Sequence, residues 1–140
     1  KMSDITFTMI KPEAVKAKYS GAILTEIEKA GFEIIALKKI HLSKEKAALF
    51  YEIHKERPFY SELIDYMSSG PIIAAVLRKN NAVVDFRSLI GSTDPNEAAE
   101  GTIRKRFAES KGKNAIHGSD SDDNARIECD FHFNKSEIFS

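Results

Sequence analysis

One histidine in a short glycine-containing run is where side-chain types first suggest chemistry. The run is Asn114-Ala115-Ile116-His117-Gly118-Ser119-Asp120. An imidazole with an unperturbed pKa of ~6.5 keeps a nucleophilic lone pair at neutral pH without a separate base. Gly118 removes side-chain bulk, so a large phosphorylated substrate can approach. Ser119 and Asp120 are expected to open a helix, whose free N–H groups would bind phosphate beside the imidazole. Four cationic residues precede the run at positions expected to be exposed: Lys11, Arg57, Arg87 and Arg104. Phosphoryl transfer needs cations where charge spreads over the transferring oxygens. Composition does not show that these four converge, and each taken alone reads as a solvated surface charge.

The elements that must position these groups follow from periodicity. Ile5, Phe7 and Met9 alternate with Thr6 and Thr8, the period of a strand over Ile5–Ile10, and Lys11-Pro12 ends it. Ser20 is a candidate N-cap for a helix from about Gly21 to Ala30, with Ile23, Leu24 and Ile27 on one face and Gly31 at its end. Phe32–Ile40 reads as a second strand. Ser43 can cap a helix to about His54, with Ala47, Leu49, Phe50 and Ile53 expected to be buried. Arg57-Pro58 breaks it before a second short helix over Ser61–Met67. Ile72–Leu77 is continuously apolar, as a strand covered on both faces should be. Asn81 is placed to cap a helix through Leu89, stopped by Gly91. The stretch from Gly91 to Lys113 is polar, with short helical pieces, and a compact domain rarely keeps such a stretch without a functional reason. Asn114–His117 reads as a short last strand, and about Asp120–Phe133 as a last helix with acidic residues in its first turn.

That order is strand, helix, strand, helical hairpin, strand, helix, strand, helix. It predicts an α+β sandwich of the ferredoxin-like, split β-α-β kind, with a four-stranded antiparallel sheet and an inserted helical hairpin. A chain of 140 residues favours one domain over residues 1–140. Lys1, ahead of Met2, reads as an appended residue before the native start.

Composition narrows the class. The chain is 42% hydrophobic, enough for a core, and 30% charged. Lys plus Arg is 21 and Asp plus Glu is 21, so the formal net charge is zero, which argues against a broad nucleic-acid-binding face. The one cysteine, Cys129, excludes an internal disulfide and fits a reducing, cytoplasmic compartment. The longest apolar run, Pro71–Leu77, is too short to cross a bilayer, and no signal peptide is visible. Cys129 and His132 have C-x-x-H spacing, but without a second pair they do not make a zinc site. Asp120, Asp122 and Asp123 read by default as a first-turn acidic cluster, and His41 and His54 as surface or strand-end residues.

The His117 run resembles the active-site motif of the nucleoside diphosphate kinase family, and other segments agree in order. Thr8-Met9-Ile10-Lys11-Pro12-Glu13-Ala14-Val15 is similar to that family's opening strand and lysine. Tyr51-Glu52-Ile53-His54 followed by Arg57-Pro58-Phe59-Tyr60 is similar to its nucleotide-binding hairpin. Ser69-Gly70-Pro71, Gly91-Ser92-Thr93-Asp94-Pro95 and Gly101-Thr102-Ile103-Arg104 follow in the family's order. Departures include Asp122-Asp123-Asn124 where a valine-acid-serine run is common, Tyr60 for a frequent phenylalanine, and His132 where an aromatic is usual.

The resemblance implies a role for each matching position. His117 would accept the phosphate, with Lys11 on the transferring group and Tyr51 close by. Arg87, Thr93 and Arg104 would bind nucleotide phosphates, and Asn114 the sugar. Phe59 would stack on the base, with Leu63 lining its other side. Ser119 and Glu128 would orient the histidine. Magnesium would sit mainly on the nucleotide phosphates, reached by Asp120 through water. Nucleoside di- and triphosphates would be the substrates, and copies of the chain would assemble into a dimer-based tetramer or hexamer.

Three rival functions lose ground on sequence. An RNA-binding sheet needs aromatic residues on its central strands, and Ile72–Leu77 has none. A nucleotide sensor has no need of both Lys11 and His117. A P-loop kinase needs G-x-x-x-x-G-K-[ST], which does not occur here.

Overall fold

The computed structural model describes residues 4–140, so Lys1 lies outside the described residues. Strands β1 (Ile5–Ile10), β2 (Glu33–Ile40), β3 (Ile72–Arg78) and β4 (Ile116–Gly118) form one sheet in the order β2-β3-β1-β4, with every neighbouring pair antiparallel. This is the expected ferredoxin-like arrangement. The helices are α1 (Pro12–Lys16), α2 (Ser20–Lys29), α3 (Lys44–Phe50), α4 (Tyr60–Met67), α5 (Ala82–Ile90), α6 (Ile103–Phe107) and α7 (Asp122–His132), with 3-10 turns at Glu52–His54 and Lys135–Glu137.

The sheet separates two cores. On one face Phe7, Met9, Ala74 and Val76 pack with Ala47 of α3, Ile64 and Met67 of α4 and Cys129 of α7. On the other, Ile10, Ala75, Leu77 and Ile116 pack with Ile23 and Ile27 of α2 and with Phe86 and Ile90 of α5. Strand β1 is central and covered on both sides, so Thr6 and Thr8 are buried despite their hydroxyls. The Thr8 hydroxyl meets that cost by donating to the His117 carbonyl at 2.7 Å. His132, where an aromatic was the expectation, serves as one: its ring is buried and lies parallel to Phe7 at 5.0 Å between centroids. Burial and then Lys38, Lys46 and His117 lower its pKa to about 4, so it packs as a neutral ring. Cys129 is buried in the same core, and among the described residues no group of three metal-ligating side chains exists.

Several boundaries differ from expectation for identifiable reasons. Pro12 does more than end β1: it opens α1, because its missing N–H costs nothing at a helix's first position. Ser20 is the first residue of α2 and not its cap. The chain arrives from α1 through Lys18 in the left-handed region, φ 68°, and Tyr19 takes the cap position without the extended backbone a serine cap requires. Asn81 does stand at the cap of α5, yet its side chain makes no capping bond; its value is tolerance of φ 60°. Ser43 caps α3 as expected, accepting the Lys46 N–H at 3.0 Å. The α3 helix stops at Phe50 and continues only as a tighter turn, which rotates the apolar stripe. Ala47 is buried, but Leu49 is 60% and Ile53 81% exposed, against the expectation that both are core.

Gly118 also has a different purpose from the one its sequence suggests. A Cβ there would lie 3.0 Å from both Phe86 Cδ2 and Ile90 Cδ1 of α5. Its small size therefore lets α5 close on β4 and hold the strand that carries His117. Gly118→Ala is expected to destabilise the fold by about 1–3 kcal/mol through overpacking, measurable as a fall in thermal midpoint. An unchanged midpoint would mean that α5 has slack.

Candidate active site

Strand β4 is an edge strand paired to β1, with His117 opposite Met9 and Gly118 opposite Thr8. That register turns the His117 ring out of the sheet into a cleft of about 450 Å³ between the α3 end and α7. Nε2 of His117 lies 2.8 Å from Glu128 Oε1. The same oxygen accepts the Ser119 hydroxyl at 2.7 Å, and the Ser119 Oγ accepts the Phe7 N–H at 3.2 Å. A carboxylate accepts only, so Nε2 is assigned the proton and Nδ1 keeps its lone pair. Phe50 packs edge-on against the imidazole at 5.7 Å.

The helix expected to begin at Ser119 begins instead at Asp122. Ser121 caps it by accepting the Asn124 N–H at 3.1 Å, and the Ser119 N–H is turned back to the Phe7 carbonyl. The Ser119 and Asn124 N–H groups are thus already engaged and are not free to bind a phosphate beside His117. Asp120 is exposed outside the helix, where its Oδ1 accepts the Asn124 amide at 2.6 Å.

Two of the four cations, Arg87 and Arg104, meet at the clefts around His117. Arg87 lines the His117 cleft together with Tyr51, Asp120 and Glu128. It also lines an adjoining cleft of about 600 Å³ with Thr93, Arg104 and Asp120. Arg104 is buried and braced, its Nη1 donating to the Gly91 carbonyl at 3.0 Å and its Nη2 to the Ile116 carbonyl at 2.7 Å, while Nε has no partner. Burial and then Arg87 lower its pKa to about 10, which leaves it charged at neutral pH. Lys11 is buried, and its Nζ donates to Asn114 Oδ1 at 2.8 Å. Burial lowers the Lys11 ammonium to about 8; Arg104 adds to this and Glu13 opposes it. Asn114 in turn reaches the Thr93 carbonyl at 3.4 Å. Arg57 is exposed and, like the buried Lys11, lines neither cleft.

Tyr51 is buried, and its hydroxyl has no partner among the described residues. Burial, then the nearby Glu128 charge, raise its pKa well above the ordinary phenol value, so it remains an O–H donor. Phe59 is 47% exposed at the start of α4, 5.8 Å from the His54 ring, and Leu63 sits half-buried one turn further on. These two lie at the hairpin and do not line the His117 cleft. His54, expected to be a surface or strand-end residue, lines it, as do Asn124 and Ile127, to which the sequence assigns no site role. His54 follows Tyr51 by one 3-10 turn, and that spacing was the available signal.

A carboxylate-held imidazole with an open Nδ1, beside clefts lined by Arg87 and Arg104, is an arrangement that can receive a phosphate group. Comparison with known proteins gives the family. The family model described as nucleoside diphosphate kinase matches residues 4–138. The nucleoside diphosphate kinase of Chlorobium chlorochromatii is 56% identical over 133 residues, 95% of each chain. That of Flavobacterium psychrophilum is 57% identical over 134 residues, 96% of each chain. Among solved structures, the Aquifex aeolicus nucleoside diphosphate kinase superposes with a TM-score of 0.95 at 45% identity, covering 96% of this chain and 98% of that one. The Encephalitozoon cuniculi enzyme gives 0.93 at 36% identity, covering 98% and 93%. The chain belongs to the nucleoside diphosphate kinase family.

Proposed function

We propose that this chain moves the terminal phosphate of a nucleoside triphosphate, typically ATP, to a nucleoside diphosphate by way of a phosphohistidine at His117. The carrying observation is the 2.8 Å contact between His117 Nε2 and Glu128. It supports a single tautomer whose Nδ1 lone pair is the nucleophile. In the first half-reaction Nδ1 attacks the γ-phosphorus, the N–P bond forms, and the bond to the β-phosphate oxygen breaks with its electron pair leaving on the diphosphate. In the second, a β-phosphate oxygen of another diphosphate attacks the phosphohistidine and returns the pair to Nδ1. Such a cycle maintains nucleoside triphosphate pools.

The remaining residues take roles consistent with their placement. Lys11 meets the transferring phosphate, supported by its position beside Asn114. The unpartnered Tyr51 hydroxyl and Arg104 Nε are donors awaiting acceptors, and phosphate oxygens supply them. Arg87 and Thr93 complete the phosphate grip, and Asn114 also contacts the sugar. Ser119 and Glu128 keep the imidazole oriented. Phe59 stacks on the base with Leu63 beside it. Stacking on a single ring discriminates little among bases, so purine and pyrimidine nucleotides are both accepted.

Family membership implies a divalent cation, and we assign magnesium. The donor set fits an ion carried on the nucleotide: the described residues contain no metal-binding cluster, and Asp120 is a single exposed carboxylate lining both clefts. An ion with one protein carboxylate, approached through water, suits magnesium. The ion neutralises phosphate charge, and the protein residues position what it leaves.

The same reading takes residues 1–140 as one kinase domain, acting in the cytoplasm as a tetramer or hexamer of identical chains. No helix among the described residues is long and apolar enough to cross a membrane. Initial rates with varied ATP and a varied second diphosphate test the two-step cycle. Parallel double-reciprocal lines are expected; intersecting lines would mean direct transfer in a ternary complex.

A further inference from the structure

Between Asn114 and His117 the chain passes through Ala115, which is fully buried and has φ 73°. A non-glycine residue in the left-handed region persists only when its surroundings over-determine it. Here two partners do so. The Ala115 carbonyl accepts the Lys11 N–H at 2.8 Å, and the Ala115 N–H donates to Glu13 Oε2 at 2.9 Å. The other oxygen of Glu13 accepts the Tyr66 hydroxyl. Glu13 stands in the first turn of α1, two residues after Lys11, and Tyr66 is on α4, so the contacts join three separate elements at one peptide.

What this peptide aims is the reactive set. Asn114, immediately before it, accepts the Lys11 ammonium at 2.8 Å. Ile116, immediately after, gives its carbonyl to Arg104. His117 follows, and the Lys11 Nζ lies 5.9 Å from the Tyr66 ring centroid. We propose that Glu13, backed by Tyr66, is a positioning residue for phosphoryl transfer that pins the left-handed Ala115 and so sets where Lys11, Asn114 and His117 meet the phosphate. This rests on the phosphohistidine cycle proposed above.

The bland alternative is that Glu13 merely caps the short α1 helix as an acidic first-turn residue. Its geometry answers this, since both carboxylate oxygens are spent on Ala115 and Tyr66, outside α1. The charged and titratable groups facing Lys11 are Glu13 from α1, Arg104 from α6 and Tyr66 from α4. Of these only Glu13 raises the proton affinity of the lysine. Glu13→Gln keeps an amide oxygen for the Ala115 N–H but removes the charge, so Lys11 should lose its proton at lower pH. Tyr66→Phe leaves the charge and removes only the backing bond.

The test is rapid-quench phosphorylation of His117 by magnesium-ATP in the full-length wild type, Glu13→Ala, Glu13→Gln and Tyr66→Phe, with steady-state kcat, KM and the pH profile of kcat/KM. Glu13→Ala is expected to lose about 10- to 100-fold in the phosphorylation rate, the scale of a small misplacement of reacting groups, with KM changed less than about threefold. Glu13→Gln should move the alkaline limb of kcat/KM to lower pH, and Tyr66→Phe should not. A folded Glu13→Ala with a wild-type phosphorylation rate would overturn the proposal. If Glu13→Ala does not fold, Glu13→Gln decides on rate: its amide oxygen still accepts the Ala115 N–H, so phosphorylation below the alkaline limb should stay near wild type, and a loss as large as that expected for Glu13→Ala would overturn the pin. Wild-type protein that forms no phosphohistidine would instead overturn the phosphotransfer cycle itself.

Discussion

Replacing His117 with alanine is expected to lower kcat by about 10⁴- to 10⁶-fold, the scale seen when a covalent nucleophile is removed. No neighbouring group can take over. Glu128 and Ser119 are tied to each other behind the ring, and the Tyr51 hydroxyl is held protonated by burial and by the Glu128 charge. Nucleotide affinity should survive, because Arg87, Thr93 and Arg104 line the adjoining cleft, whose lining does not include His117. The check is kcat by coupled assay beside an ADP dissociation constant by calorimetry. Lost turnover with affinity kept within about threefold, a difference of under 1 kcal/mol, is the expected pair. Residual turnover near wild type would place the nucleophile elsewhere.

The second large effect is at Lys11. Lys11→Met keeps the buried stem and removes the ammonium, and it should lower kcat by about 10²- to 10³-fold, as losing one donor aimed at developing charge does in other enzymes. The pH profile carries the sign. Burial, reinforced by Arg104, lowers the Lys11 pKa to about 8 in the free protein. The ammonium is therefore present below that pH and lost as pH rises through it, so wild-type kcat/KM should fall on the alkaline side. Lys11→Met should lack that limb. A variant that keeps both the rate and the limb would remove Lys11 from the phosphate.

Much of this was legible in the sequence where local pattern decides structure. The β1 alternation, the apolar β3 run and the Ser43 cap all translate directly, and element order alone implies the ferredoxin-like sheet. What was not legible depended on partners far along the chain. Nothing near Lys11 in sequence indicates that its ammonium meets Asn114, 103 residues on. Nothing near Phe7 indicates that its N–H is spent on Ser119, 112 residues on. The first of these pairs is created by the close of β4 against β1, which also allows Ala115 its left-handed turn.

The errors have the same origin. Ser119-Asp120 looks like a helix start, but Ser121 offers an equal cap two residues later, and packing β4 against β1 uses the Ser119 N–H before a helix can. Gly118 looks like a clearance for substrate because the α5 side chains that fill its space come from residues 86 and 90. Roles for Glu128, Thr93 and Leu63 came only from family resemblance; no spacing rule links an α7 glutamate to a β4 histidine until the fold turns them together.

The central claim is that His117 carries the phosphate between nucleotides, and one labelling experiment addresses it most directly. Wild type and His117→Ala are incubated with γ-labelled ATP and magnesium, freed of nucleotide, and then given GDP. The account predicts acid-labile, base-stable label on the wild type alone, and its passage to GTP when GDP is added. Protein that binds ATP yet takes up no label, or label that persists in His117→Ala, would contradict it.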